Sequence, residues 1–192
     1  WEGHDVMEVA SPEGFATNPE LVLEFYNQRR RQLLKVKPNQ AHFDLVALEV
    51  NYKVTIVTQN VDDLHERAGS ANVIHLHGEL FKVRSTYNEF DVQDWKTDLV
   101  RGDYCSKGYQ LRPDIVWCGE DVPLIPKAIS ICETADILLI MGTSMQVSPA
   151  ASLMQYVNPE TKIYYIDPKP ALDNNNHITV ISTSATSGMP DF

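Results

Sequence analysis

The chain has 192 residues, 43% of them hydrophobic and 22% charged, with a formal net charge of −10. That length fits one domain, or one domain with a sizeable insertion, and the composition is that of an ordinary globular protein. The acidic balance argues against a nucleic-acid partner, which needs clustered Lys and Arg, and no apolar run reaches the roughly 18 residues that mark a membrane span.

Trp1-Glu2-Gly3-His4-Asp5 has neither the basic segment nor the apolar core of an export signal. Asn18, Pro19 and Glu20 read as N-cap, first-turn proline and first-turn acid, and predict a helix to about Leu34. Pro38 opens a second helix to about Leu48, so 18–50 is a helical segment. The β-branched run Val54–Thr58 predicts a strand. A polar helical stretch follows at 63–68, stopped by Gly69, and then a strand at Val73–His77. From Phe81 to Gln110 the residues are polar and aromatic with no sustained period, which reads as an inserted module over about 81–111. Order returns at Ile115-Val116-Trp117, with a helix near Pro126–Thr134. Strand Ile137–Met141 then ends in Gly142-Thr143-Ser144, and Pro149 starts a helix to about Val157. Strand Lys162–Ile166 ends in Asp167, and strand Ile178–Ile181 ends in Ser182. Strands alternating with helices imply an α/β, Rossmann-like, doubly wound parallel sheet. Cys105, Cys118 and Cys132 stand singly, which suits a reducing, cytoplasmic setting.

Ligands in such sheets bind beyond the carboxyl ends of the strands. Those ends carry Gln59, Asn60, Val61 and Asp62; His77 and Gly78; Gly142, Thr143 and Ser144; and Asp167. Any one cluster is an ordinary helix cap. Several on successive strand ends point to a nucleotide, whose ribose and phosphate oxygens accept from amides and hydroxyls. His75 and His77 share a strand face, and with His65 they would suffice for a metal. The plainer reading is one buried, hydrogen-bonded histidine and one catalytic histidine, since imidazole titrates near neutrality.

Five short motifs in order resemble the sirtuin family of NAD-dependent protein deacylases. They are Thr58-Gln59-Asn60-Val61-Asp62, His77-Gly78, the stretch Pro113 to Glu120, Gly142-Thr143-Ser144, and Ser184-Ala185. The resemblance spans nearly the whole chain and implies a single catalytic domain. It implies NAD as cofactor, contacted by Gln59, Asn60, Val61, Asp62, Gly142, Thr143, Ser144 and Ala185, and by Asp167 where the family usually has asparagine. His77 would be the base. In the family's reaction the acyl oxygen attacks the nicotinamide-bearing ribose carbon and nicotinamide leaves. The histidine takes a proton from a ribose hydroxyl, and the products are free lysine and acylated ADP-ribose. Val116, Cys118, Gly119 and Glu120 match the segment whose backbone clamps an extended acyl-lysine peptide. Cys118 replaces the family's aromatic, which would widen the acyl channel; the plainer reading is a small buried hydrophobe. Tyr26 and Arg29, three apart on one helix face, match the pair of the subgroup that removes succinyl and malonyl groups. Without that resemblance, Arg29-Arg30-Arg31 reads as a solvated basic face.

Two departures stand out. Most sirtuins carry two Cys-x-x-Cys pairs in the inserted module, whereas this one has Cys105 alone and no histidine. Tetrahedral zinc needs four ligands, so no zinc is expected, and the module is expected to be held by packing through Phe90, Trp95 and Tyr104. The family also opens with a strand and a Gly-rich phosphate loop that has no counterpart here, and it ends in a further helix. A domain that binds NAD or ADP-ribose without turnover is therefore the alternative to a deacylase.

Overall fold

The computed structural model describes residues 3–143, 145 and 150–189. In chain order the elements are α1 (Val6–Val9), α2 (Pro12–Thr17), α3 (Pro19–Leu33), α4 (Gln40–Leu48), β1 (Ile56–Thr58), α5 (Leu64–Ala68), β2 (Val73–His75) and β3 (Gly78–Ser85). There follow β4 (Val92–Asp94), β5 (Leu111–Ile115), α6 (Ile125–Cys132), β6 (Ile137–Met141), a 3-10 turn at Ala150–Tyr156, β7 (Lys162–Ile166), β8 (Ile178–Ile181) and α7 (Ala185–Gly188). The chain divides into two compact units. The first comprises Trp1–Lys37, Thr58–Asp63 and His77–Val122; the second comprises Pro38–Val57, Leu64–Leu76 and Pro123–Phe192.

In the first unit, α3 begins where expected. The Asn18 side chain accepts from Leu21 N at 3.1 Å, and Pro19 supplies the first turn. Val22, Leu23, Phe25, Tyr26, Arg30 and Leu33 recur at three- and four-residue spacing and form its buried stripe. The inserted module is an antiparallel sheet in the order β4-β3-β5. Its period is hidden in the sequence because the β3–β5 register shifts between Glu79 and Val83. A bulge of that kind breaks the two-residue alternation on which strand recognition depends.

The packing that holds the module differs from expectation. Phe90 and Tyr104 are 85% and 60% exposed, and of the three expected aromatics only Trp95 packs against the core of Leu23, Val83, Leu99, Cys105 and Leu111. Two side-chain amides add ties to its loops. Asn27 donates to Leu99 O at 3.0 Å and accepts from Leu99 N at 2.8 Å, as a strand neighbour would. The Gln110 amide accepts from Gly102 N at 2.8 Å, and its nitrogen lies 3.1, 3.1 and 2.9 Å from the carbonyls of Val100, Asp103 and Leu111.

In the second unit, β6, β7 and β8 form a parallel sheet with β7 central, and β1 pairs with β2. Tyr165 and Ile166 on β7 are fully buried, in two clusters. One joins Ile140, Ile163 and Tyr165; the other joins Ala41 of α4, Ile166 and Met189. The strands at 137–141, 162–166 and 178–181 coincide with expectation, because β-branched runs bounded by turn residues are a strong signal. The segment read as a helix to Val157 is a 3-10 turn over its described part; Pro149 lies outside the described residues.

Candidate active site

His77 stands between the end of β2 and the start of β3, and Gly78 sets its geometry. Gly78 has φ +84°, and a Cβ there would lie 1.9 Å from Asp114 O. Only glycine permits so close a crossing of β5. Val116 N donates to His77 O at 3.0 Å, which ties the histidine backbone to the chain after β5. The ring is half-buried, and Nδ1 lies 3.2 Å from Gln59 O. A carbonyl only accepts, so in the neutral ring this contact selects the Nδ1–H tautomer, in which Nε2 carries the lone pair.

The loop holding Gln59 is itself fixed. Asn60 N donates to Thr58 Oγ1 at 3.0 Å, and Leu80 N donates to Val61 O at 2.7 Å. Asn60 is exposed, while Gln59, Val61 and Asp62 are half-buried. His75 has a different fate. It is 8% exposed, and its Nε2 lies 2.7 Å from Glu66 Oε1. Among the described residues, no three His, Cys, Asp or Glu side chains are grouped to hold a metal ion.

The 116–120 segment is a turn closed by Glu120 N donating to Trp117 O at 3.0 Å. Cys118 and Gly119 are its central residues, and φ +87° at Gly119 is what the third position of a type II turn requires. The turn corrects one expectation. Cys118 is exposed at the tip rather than a buried hydrophobe. The Glu120 carboxylate is engaged within the protein, accepting from Arg112 at 2.6 and 3.0 Å, Arg84 at 3.1 Å and Trp117 N at 2.8 Å. Burial raises the Glu120 carboxyl, but the Arg112 and Trp117 hydrogen bonds outweigh it and hold it below the ordinary range. The donors of Val116, Trp117, Cys118 and Glu120 are all spent within the protein, Cys118 N on Ala10 O at 2.9 Å. Among the described residues, the Gly119 N–H and the Val116 and Cys118 carbonyls have no hydrogen bond within the protein.

Tyr26 is 3% exposed and accepts from Trp117 Nε1 at 3.0 Å. Arg29 is half-buried, stacks 3.3 Å over the Phe25 ring and donates to Phe25 O at 2.9 Å. Neither Arg112 nor Arg84 was singled out by sequence reasoning. The available signal for Arg112 was Trp117, because an aromatic face attracts a guanidinium, and Arg112 lies 3.4 Å over that ring.

At the strand ends of the second unit, Gly142 is exposed and nothing lies within 4 Å of where its Cβ would be. Gly142 N donates to Ile166 O at 3.0 Å. Thr143 O accepts from Tyr165 OH at 2.7 Å. Asp167 Oδ1 accepts from Lys169 N at 2.7 Å, a local turn. Ala185 opens α7 and packs against the cluster of Ile166 and Met189. Ser144 lies outside the described residues.

Comparison with known proteins gives one answer. The Sir2 family profile matches residues 1–149. An NAD-dependent protein deacylase of Helicobacter pylori is 55% identical over 196 residues, covering 100% of this chain and 84% of its own length. One of Bacteroides thetaiotaomicron is 48% identical over 199 residues, covering 100% and 85%. A solved complex of a mutant Sir2 homologue with ADP-ribose superposes with a TM-score of 0.89 at 36% identity, over 100% of this chain and 79% of that one. A Sir2 protein bound to acetylated peptide gives 0.83 at 26% identity, over 96% and 81%. On the profile match and on relatives of this identity and coverage, the chain belongs to the Sir2 family.

Proposed function

We propose that this chain carries out NAD-dependent deacylation of protein lysines, favours succinyl and malonyl over acetyl, and, with one water consumed, yields nicotinamide, free lysine and O-acyl-ADP-ribose. The observation that carries the reading is the pinned His77, whose Nδ1 proton is spent on Gln59 O and whose Nε2 is left as base. Relatives called NAD-dependent protein deacylase, and Sir2 structures with ADP-ribose and with acetylated peptide, support it.

The residues present fit NAD. Gly142 leaves open space at a strand end, and hydroxyl and amide groups flank such ends. When bound, NAD supplies a ribose carbon whose bond to nicotinamide can break. Gln59, Asn60, Val61, Asp62, Gly142, Thr143, Ser144, Asp167 and Ala185 are the proposed NAD contacts. Asn60 and Asp62 are assigned to the nicotinamide ribose and carboxamide. His77 Nε2 accepts the ribose hydroxyl proton. The carbonyls of Val116 and Cys118 and the N–H of Gly119 hold the acyl-lysine peptide. Arg29 pairs with an acyl carboxylate, and Tyr26 donates to it.

The module is proposed to need no zinc, because Asn27 and Gln110 supply the ties that four metal ligands would. A cytoplasmic setting belongs to the same proposal.

The test is turnover of the intact protein on acyl-lysine peptides with and without NAD. Peptide deacylation should require NAD, and His77→Ala should lower it by about a hundredfold or more, the usual worth of a positioned general base. A His77→Ala variant within threefold of wild type would overturn the assignment.

A further inference from the structure

Trp117 is 2% exposed and held on several sides. The Arg112 guanidinium lies 3.4 Å over its ring, and the Phe15 ring centroid is 5.3 Å away. Arg112 is itself fixed by Glu120 Oε1 at 2.6 Å, Glu120 Oε2 at 3.0 Å and Ile115 O at 2.8 Å. The indole therefore has one orientation, and in it the Nε1–H donates to the Tyr26 oxygen at 3.0 Å.

An indole N–H can only donate, and a phenol has one hydrogen to give. With a Tyr26 lone pair occupied by Trp117, the hydroxyl hydrogen must turn away from the indole. Among the described residues it is given to no acceptor. Burial pushes the Tyr26 phenol up to about 12, so the group keeps that hydrogen at neutral pH. A protonated phenol aimed away from Trp117 can donate to an acyl carboxylate; a freely rotating one spends part of its time misdirected.

We propose that Trp117 is a positioning residue for acyl choice: its N–H sets the Tyr26 hydroxyl so that the hydrogen is presented to an acyl carboxylate, with Arg112 and Glu120 holding Trp117 in place. This inference rests on the succinyl and malonyl preference proposed above.

The test is a double-mutant cycle in the intact protein, read as the ratio of kcat/KM on matched succinyl- and acetyl-lysine peptides. Trp117→Phe keeps an aromatic face for Arg112 and removes the N–H together with part of the ring, and the Tyr26→Phe background separates the two losses. It should lower the succinyl-to-acetyl ratio about two- to tenfold, the usual worth of one neutral hydrogen bond, and by no more than Tyr26→Phe does. In a Tyr26→Phe background the same change should move the ratio by less than about twofold, because no hydroxyl remains to be set. A purely structural role would lower both peptides alike. An equal effect of Trp117→Phe in both backgrounds overturns the inference while leaving deacylation intact. A wild-type protein that deacylates without preferring succinyl overturns the acyl reading, and this inference with it. If Trp117→Phe does not fold, Arg112→Lys serves instead. It loosens the stack but keeps the N–H, and its smaller loss in the ratio should vanish in the Tyr26→Phe background; persistence there overturns the inference.

Discussion

Three consecutive arginines show how far residue-level reading reaches. Arg29, Arg30 and Arg31 look alike in sequence, and a solvated face is the default for such a run. Only Arg31 fits it, pairing with Glu24 and Asp98 at the surface. Arg30 is fully buried, donating to Leu80 O at 3.0 Å and Asn27 Oδ1 at 2.7 Å, and burial lowers its pKa to about 10. Arg29 lies between, on the Phe25 ring. Its position three residues after Tyr26 was legible; the fate of Arg30 was not, because its partners are 50 residues away and three residues away on two different elements. If Arg29 reads an acyl carboxylate, Arg29→Met should cut kcat/KM for a succinyl peptide about ten- to hundredfold more than for its acetyl counterpart, the worth of a charge-assisted hydrogen bond. Tyr26→Phe should change the same ratio by about two- to tenfold. Equal losses on both peptides would make Arg29 a support of the fold. Glu120 gives a test in pH. Its folded carboxyl sits below the ordinary value of 4.5, so its stabilisation is complete above that value and is lost as pH falls through the lower folded one. Glu120→Gln should therefore cost about 1–3 kcal/mol at pH 7, and the urea midpoint of the variant should fall less steeply than that of wild type between about pH 5 and pH 3. Parallel curves would show that Glu120 carries no such linkage.

At the scale of elements, the parallel strands were legible and the small antiparallel sheet was not. β6, β7 and β8 are short β-branched runs with clear stops, and neighbouring residues alone identify them. β3 mixes Lys82 and Arg84 with Leu80, Phe81 and Val83 and is broken by a bulge. Its identity rests in part on β5, whose paired residues are more than twenty positions away and which local pattern cannot report. The loop before β5 is harder still, since polar amides hold it. Gln110→Ala removes the shared partner of Gly102, Val100, Asp103 and Leu111. It should cost roughly 2 kcal/mol or more and lower Tm by about 4–8 °C. A shift below 1 °C would show that the amide is dispensable. On the proposal that these ties stand in for zinc, a strong chelator should leave Tm unchanged, whereas the folding of structural-zinc proteins depends on metal. One tightly held zinc per chain by elemental analysis would contradict it.

For the whole molecule, the order of motifs said more than any single one. Each strand-end cluster alone reads as a cap, yet Gln59 to Asp62, His77-Gly78 and Gly142-Thr143 taken together in that order carried the resemblance to the family to which the chain belongs. The sequence did not reveal the service network behind them: Gly78 crossing Asp114, Glu120 binding Arg112, and Trp117 reaching Tyr26 across 91 positions of chain. Each depends on a pairing between distant segments. The central claim is that acyl removal and nicotinamide release are one reaction served by His77. The most direct measurement follows an isotope-labelled acyl group by mass spectrometry while nicotinamide and free lysine are quantified in the same sample of the intact protein. Nicotinamide, free lysine and ADP-ribose carrying the label should appear in equal amounts, with all three strongly reduced in His77→Ala. Label recovered as the free acid from the outset, with no matching nicotinamide, would contradict the central claim.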